Sequence, residues 1–282
     1  MGNRNTDSRM HAAVAGPHDG REPRHAGRLP KVNRNRIGTL TWGAHTAGRM
    51  GTADRIAMTV QAVRVILAAR LARRDGRPTL DVNALRDVTI PASAMARRAE
   101  ALCIQHSTPW LVQHCIRSYY WGALLALRDD VRYDSELFYV ASLLHDLGLT
   151  AAAAPAPGNC FAISGAEAAF DALRDAEWPA DRSRRVAEAI AMHLNAHVGV
   201  ADGVEAYLLR AGSGLDVAGM RHRELGEELR RAVVDRHPRH DFTAQMTRTV
   251  RQQAERCPRT RIAYLYAHAD FVNRIHRAPF DD

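Results

Sequence analysis

Residues 111–150 read LVQHCIRSYYWGALLALRDDVRYDSELFYVASLLHDLGLT, and side-chain spacing alone places two helices in them. From Leu111 to Leu127, His114, Ser118, Trp121 and Leu125 recur at i, i+4, i+7 and i+11. That period sets the histidine on the same face as large apolar groups and predicts that it points inward. Asp134 is the expected N-cap of a second helix from Ser135 to about Leu147, with Gly148 as its left-handed stop. His145 and Asp146 then fall in the last turn. Adjacent residues on a regular helix diverge by ~100°, so the pair can share one ion only where the helix loosens, as it does at an end. His114 would add a third ligand from across a short connection. Two imidazoles with carboxylates suit Zn²⁺, Mn²⁺, Fe²⁺ or Co²⁺ and leave positions open for water or substrate.

The remainder reads as helix in both directions. From Thr52 to Arg73, Ile56, Val60, Val63, Ile66, Leu67 and Leu71 recur at helical spacing, which predicts an amphipathic helix packed on the main body by that face. Residues 93–103 are again helical. Further helices are predicted over residues 165–175, 182–197, 205–215, 223–234, 242–255 and 260–275, with Gly212, Ser213 and Gly214 letting a neighbour come close beside Asp216. There is no internal repeat and no sustained alternating pattern. The expectation is an all-α fold of about nine helices: a flexible basic leader over 1–36, a helical extension over 37–100 that packs on the core, and a metal-binding helical domain with C-terminal helices over 101–282.

A chain of 282 residues with 46% hydrophobic content can bury a full core as one helical domain. Apolar runs such as Ala123–Leu127 and Val140–Leu144 fall far short of the ~20 residues of a bilayer span, so no membrane partner is expected. The formal charge of +8 invites a nucleic-acid reading, but residues 1–36 hold eight basic residues against three acidic ones, a net of +5 that leaves +3 for everything else. Arginines of the body mostly sit beside acids, as in Arg182–Glu188, which describes solvated helix faces and no phosphate-binding stripe. Cys103, Cys115, Cys160 and Cys257 form no CxxC pair and follow no export segment, which predicts reduced thiols in a cytoplasmic protein. The expected partner is a small-molecule substrate, and the sequence is compatible with a homo-oligomer.

Five segments occur in a telling order: His114-Cys-Ile-Arg117-Ser118-Tyr119, Leu143-Leu144-His145-Asp146-Leu147-Gly148-Leu149-Thr150, Glu188-Ala-Ile-Ala-Met-His193, Glu205-Ala-Tyr-Leu-Leu-Arg-Ala-Gly212-Ser-Gly-Leu-Asp216, and Ala278-Pro279-Phe280-Asp281. Together they resemble the HD superfamily of metal-dependent phosphohydrolases, most closely its cyanamide hydratase-like branch, over roughly residues 40–282. The resemblance implies a single HD-domain helical bundle with one divalent metal, zinc foremost and iron, manganese or cobalt as alternatives. It implies His114, His145, Asp146 and Asp216 as the ligands, Asp146 and His193 as catalytic groups, and Arg117, Thr150, His193 and Asn195 as groups that bind substrate. One departure stands out. Where such relatives carry an acidic residue after a phenylalanine, this chain has Phe161-Ala162-Ile163-Ser164-Gly165, which points to a changed substrate or a changed proton donor.

The activity implied is attack by a metal-activated water on a small molecule, with a nitrile-type carbon as the leading electrophile and a nucleotide or other phosphomonoester as the alternative. A di-iron oxygenase using His193 and His197 is a third reading, and a non-catalytic HD module that senses a ligand is a fourth. Retention of all of His114, His145, Asp146 and Asp216 weighs against the last. Two residues stay open: Arg117 either meets an anionic substrate or ties down a buried carboxylate, and Asp216 competes with Asp270 as fourth ligand. Asp270 is expected to pair in solvent with Arg274 at i+4.

Overall fold

Helix ends, caps and two close backbone approaches explain how the chain delivers its histidines. The computed structural model describes residues 36–72 and 76–282, and side chains from 68 to 72 lie outside that description; the leader expected over 1–36 is outside it too, except for Arg36. Among the described residues the chain is all helical, with α1 Leu40–Thr46, α2 Thr52–Ala72, α3 Ala94–His106, α4 Pro109–Asp129, α5 Ser135–Leu144, α6 Phe161–Asp175, α7 Ala180–Met192, α8 Val204–Ala218, α9 Glu227–Arg236, α10 Phe242–Arg256, α11 Arg261–His268 and α12 Phe271–His276. Four short 3-10 turns join them, and β-type pairing among the described residues consists of two isolated bridges, Arg49 with Thr260 and Leu80 with Leu225. No described helix is long and apolar enough to cross a membrane.

The pairing of α4 with α8 sets the frame. A Cβ on Gly212 would lie 2.1 Å from the Ser118 carbonyl oxygen and 2.8 Å from the Gly122 nitrogen, while one on Gly122 would lie 2.8 Å from the Leu208 carbonyl. The two backbones therefore touch, and only glycine fits at the contact. The helices run antiparallel there, so the next turn outward brings His114 of α4 opposite Asp216 of α8. The close approach expected from the glycines is found at Gly212. At Gly214 the nearest neighbour is instead the Met220 side chain.

Beyond its first turn α5 is apolar almost all round, as suits a helix packed by α3, α4, α7 and α8; Leu137, Phe138, Val140, Ala141 and Leu144 are all fully buried. Asp134 caps it as expected, its carboxylate accepting from the Leu137 N–H at 3.0 Å. Arg182 of α7 pairs with Asp134 and with Glu136. α5 stops at Leu144, earlier than expected, and the chain bends through His145 and Asp146 into a 3-10 turn at Leu147–Leu149. Gly148 is not the left-handed stop that its position suggests. It is needed for space: a Cβ there would lie 2.0 Å from the Phe161 carbonyl oxygen, and one on Gly165 would lie 2.7 Å from the Gly148 nitrogen.

Three other expectations change. The predicted core face of α2 is largely exposed: Ile56, Val60, Val63, Ile66 and Leu67 are exposed, Ile66 bordering a cavity, while Leu71 lies outside the described side chains; among those described, Met58 is fully buried. Periodicity shows that a helix has an apolar stripe, but not which stripe a neighbour will cover. The single last helix is two, broken at Asp270 in a left-handed conformation (φ 53°). The helix count is accordingly twelve among the described residues, where about nine were expected.

The cap leads to a prediction. Burial pushes the Asp134 carboxyl up, but the Arg182 guanidinium and the Leu137 N–H outweigh it and leave it below the ordinary range. A depressed carboxyl stabilises the fold fully above the unfolded value of ~3.9 and loses that contribution as the pH falls through its lower folded value. Asp134→Ala should therefore reduce stability by about 1 kcal/mol near neutrality, as lost N-caps do, with the gap from wild type closing below about pH 4. Chemical denaturation across that range checks it, and a gap that widened in acid would be the wrong sign.

Candidate metal centre

The same local device aims two of the histidines. His145 closes α5 with helical angles (φ −64°, ψ −29°), and its Nδ1 lies 2.8 Å from the Ser142 carbonyl three residues back. The hydrogen bond assigns the proton of the neutral ring to Nδ1 and leaves Nε2 a bare acceptor pointing away from the helix. His193 does the same at the end of α7, with φ −58°, ψ −26° and Nδ1 2.6 Å from the Ile190 carbonyl. His114 reaches the same state by a different partner, its Nδ1 lying 2.7 Å from Asp216 Oδ2.

Asp146 has already left the helix (φ −104°, ψ 15°), and the bend brings its carboxylate round to the side of His145. Its Oδ2 lies 3.3 Å from His145 Nε2 and 3.4 Å from His114 Nε2, and the two Nε2 atoms are 3.2 Å apart. Asp146 Oδ1 faces His193 Nε2 at 3.7 Å. Three Lewis bases thus converge with no N–H between them while the imidazoles are neutral. Lone pairs so placed repel unless a proton or a cation lies among them. Among the described residues, His114, His145 and Asp146 form a group whose donor atoms all lie within 4.8 Å of one another, and all three are buried. Two imidazole nitrogens and a carboxylate oxygen fit a divalent ion of the zinc type, with room for further ligands.

Charge follows from burial and these neighbours. Burial pushes Asp146 up, but His145, His114 and His193 prevail and hold it well below the ordinary carboxylate range. Burial is the main cause that lowers His145. For His193, burial and then the charge of His145 bring the value down to about 3, so this ring is neutral. His114 goes the other way: burial opposes its charge, but Asp146 and Asp216 leave it raised.

Asp216, expected as the fourth ligand, lies outside the three-residue group. Its Oδ1 accepts from Arg117 Nε and Trp121 Nε1, both at 2.8 Å, and its Oδ2 accepts from Arg117 Nη2 at 2.9 Å while facing His114 Nδ1. Four donors fill the lone-pair positions of a carboxylate. Arg117, expected at the substrate, is fully buried behind Asp216, and its Nη1 donates to the carbonyls of His237 and Pro238. Of the two roles left open for it, the structure places it in the second. Asp270 is exposed and outside that group; its Oδ1 accepts from Asn273, and Arg274 donates to the Ala269 carbonyl in place of the expected pair.

A cavity of about 170 Å³ opens beside the group, lined by His114, His145, Asp146 and His193 and walled by apolar side chains such as Ile66, Leu149, Val250 and Leu265. Thr150 does not line it, because its hydroxyl donates to the Leu147 carbonyl. Asn195 does line it, but its carboxamide is engaged at both ends: Nδ2 donates to the Ile37 carbonyl and Oδ1 accepts from Arg261 Nη1. His197 is exposed beyond the end of α7, so its spacing from His193 is not helical. Sequence reasoning missed Trp121 as a donor to Asp216, although its helical register with His114 was visible. It also missed Arg239, which lies against Asp216 and is held by Asp282.

These features agree with the outcome of comparison. The HD domain signature matches residues 111–264, more than half of the chain, and the protein belongs to the HD domain family. Members of that family are mostly metal-dependent hydrolases. Among curated proteins, none matches the chain.

Metal binding should respond to mutation and to pH in defined ways. His145→Ala and Asp146→Ala should each abolish stoichiometric metal content. Asp216→Asn should weaken metal affinity by about 10-fold, the scale for groups that orient a metal-binding histidine, and Asp270→Asn should leave it unchanged in a chelator titration. A reversed ranking of the two Asn variants would overturn the site. Because a proton on His114 excludes a metal from its Nε2, and because that ring holds its proton above the ordinary His value of ~6.5, affinity should fall as the pH drops, with the decline beginning above that value. Competition titrations from pH 9 to pH 5.5 test this, and a flat profile would contradict it.

Proposed function

We propose that this protein is a metal-dependent hydrolase or hydratase in which His114, His145 and Asp146 hold one divalent ion, zinc being the first choice, and that its substrate is a small neutral molecule with a nitrile-type carbon. The observation that carries the reading is the convergence of His114 Nε2, His145 Nε2 and an Asp146 carboxylate oxygen beside a mostly apolar cavity. A divalent ion held there brings the pKa of water towards neutrality and so supplies a nucleophile without a strong base.

The residues of the chain divide the remaining work. Asp146 turns Oδ2 to the two Nε2 atoms and Oδ1 to His193, so it would hold an ion through one oxygen while facing His193 with the other. His193 is neutral with its Nδ1 proton fixed on Ile190, which leaves Nε2 as the atom that accepts or returns a proton beside the reacting water. Asp216 would fix the ring plane and tautomer of His114 from behind, as carboxylates beside metal-binding histidines do. The cavity is small against the ~300–1,000 Å³ typical of drug-sized ligands, and its mostly apolar walls exclude bulk water and favour an uncharged substrate.

A second reading rests on Arg210 and Arg274, which also line the cavity. They favour an anionic substrate such as a phosphomonoester. Arg210, however, already donates to the carbonyls of Asn195 and Ala196, and Arg274 to that of Ala269. The test is metal analysis of the purified protein, followed by assay of small nitriles and nucleoside monophosphates with that metal restored. Metal-dependent amide formation from a nitrile, lost on chelation and lost in His193→Ala, is the expected result. Phosphate release with no nitrile turnover would replace this reading with the second.

A further inference from the structure

Arg239 is a buried cation between two acids. It is 1% exposed, its guanidinium lies over the rings of Phe242 (4.4 Å) and Phe280 (5.0 Å), and its Nη2 has no hydrogen-bond partner. Among the described residues its ion-pair partners are Asp282, whose Oδ1 accepts from Nε at 3.0 Å, and Asp216, whose Oδ1 lies 3.5 Å from Nη1. The first is a full hydrogen bond, and the second lies beyond the range of about 2.7–3.2 Å that one requires. The nearer contact of Nη1 is the backbone carbonyl of Asp216, at 3.3 Å. Asp282 is itself well anchored. Its Oδ1 also accepts from the Thr243 hydroxyl and its Oδ2 from the Thr243 N–H, each at 3.0 Å, at the start of α10. Phe280 stacks on Trp121 with ring centres 5.5 Å apart, and Pro279 fits against Gly219, where a Cβ would lie 2.6 Å from its Cδ. Residues 279–282 are thus seated against α4, the end of α8 and the start of α10.

The consequence of this seating follows from charge. A buried guanidinium without a carboxylate is costly, so an Arg239 deprived of Asp282 turns to the acid still within reach, Asp216. That carboxylate already takes two bonds from Arg117, one from Trp121 and one from His114, which fill its lone-pair positions. Oδ1 is the oxygen that faces Arg239 and Oδ2 the one that faces His114. A closer pair at Oδ1 would draw the carboxylate off the imidazole, because a neutral N–H is a weaker tether than a guanidinium. We propose that Asp282 is a positioning residue for the metal centre: it holds Arg239 back from Asp216 and so keeps Asp216 bonded to His114. This rests on the reading of His114 as a metal ligand.

The test uses the full chain and three variants, Asp282→Ala, Arg239→Met and the two together, with Zn²⁺ as the probe in chelator competition. Asp282→Ala should weaken Zn²⁺ binding by about 5-fold, less than the ~10-fold or more for a group that bonds a metal-binding histidine directly. Removing Arg239 as well takes the competitor away and should restore affinity to within about 2-fold of wild type, with Arg239→Met alone binding like the double variant. In metal-free protein at alkaline pH, the His114 Nδ1–H proton resonance should move upfield in Asp282→Ala and return in the double variant, while that of His145 stays in place. A pair that serves only the fold would give losses that add in the double variant. That result, or an Asp282→Ala protein with the affinity and His114 resonance of wild type, would overturn the proposal. A wild-type protein that binds no Zn²⁺ would refute the metal reading, and the His114 resonance would still decide whether Asp282 acts on that ring.

Discussion

Two backbones touch where α4 crosses α8, and the metal centre depends on that contact. Gly122 and Gly212 bring the helices close enough for Asp216 to reach the far nitrogen of His114. A carboxylate in that position would be costly alone, and Arg117, Trp121 and Arg239 surround it. A buried ion pair of this kind gains little stability over an apolar substitute of the same shape, while removal of one partner destabilises strongly. What the cluster supplies is orientation: it fixes which nitrogen of His114 carries a proton and where the other nitrogen points.

The end of α5 supplies the second half of the centre by local means. His145 holds its ring by a bond to its own helix, and Asp146 turns away because the helix has already ended. Gly148 lets the N-terminus of α6 press against that bend, with Phe161 close enough to line the cavity. His193 copies the arrangement of His145 at the end of α7. Two helix ends and one helix crossing therefore converge on one volume, with the rings of His145 and His193 held by backbone carbonyls and that of His114 by Asp216.

Much of this was legible before the structure. The all-helical fold, the N-cap at Asp134, the inward face of His114 and the close approach at Gly212 all follow from spacing and residue type. What the sequence does not carry is partner choice. The stripe of α2 is visible, yet which side of it another helix covers depends on residues far away in the chain. Nothing local at Asp216 reveals that Arg117 and Trp121, 99 and 95 positions earlier, donate to its carboxylate. Gly148 reads as a helix stop because glycine is common there, whereas its actual role is the space it leaves for Phe161.

The central claim is that neutral His114 and His145 keep their protons on Nδ1 and turn bare Nε2 atoms towards Asp146, so that a cation completes the cluster. Nitrogen-15 NMR of the imidazole rings, recorded on metal-free protein at alkaline pH and again after addition of Zn²⁺, tests it most directly. The account predicts the Nδ1–H form for both rings before addition, followed by a shift of both Nε2 resonances at one equivalent of metal with Nδ1 still protonated. Protonated Nε2 atoms in the neutral rings, or a metal-induced shift at Nδ1 of either histidine, would contradict it.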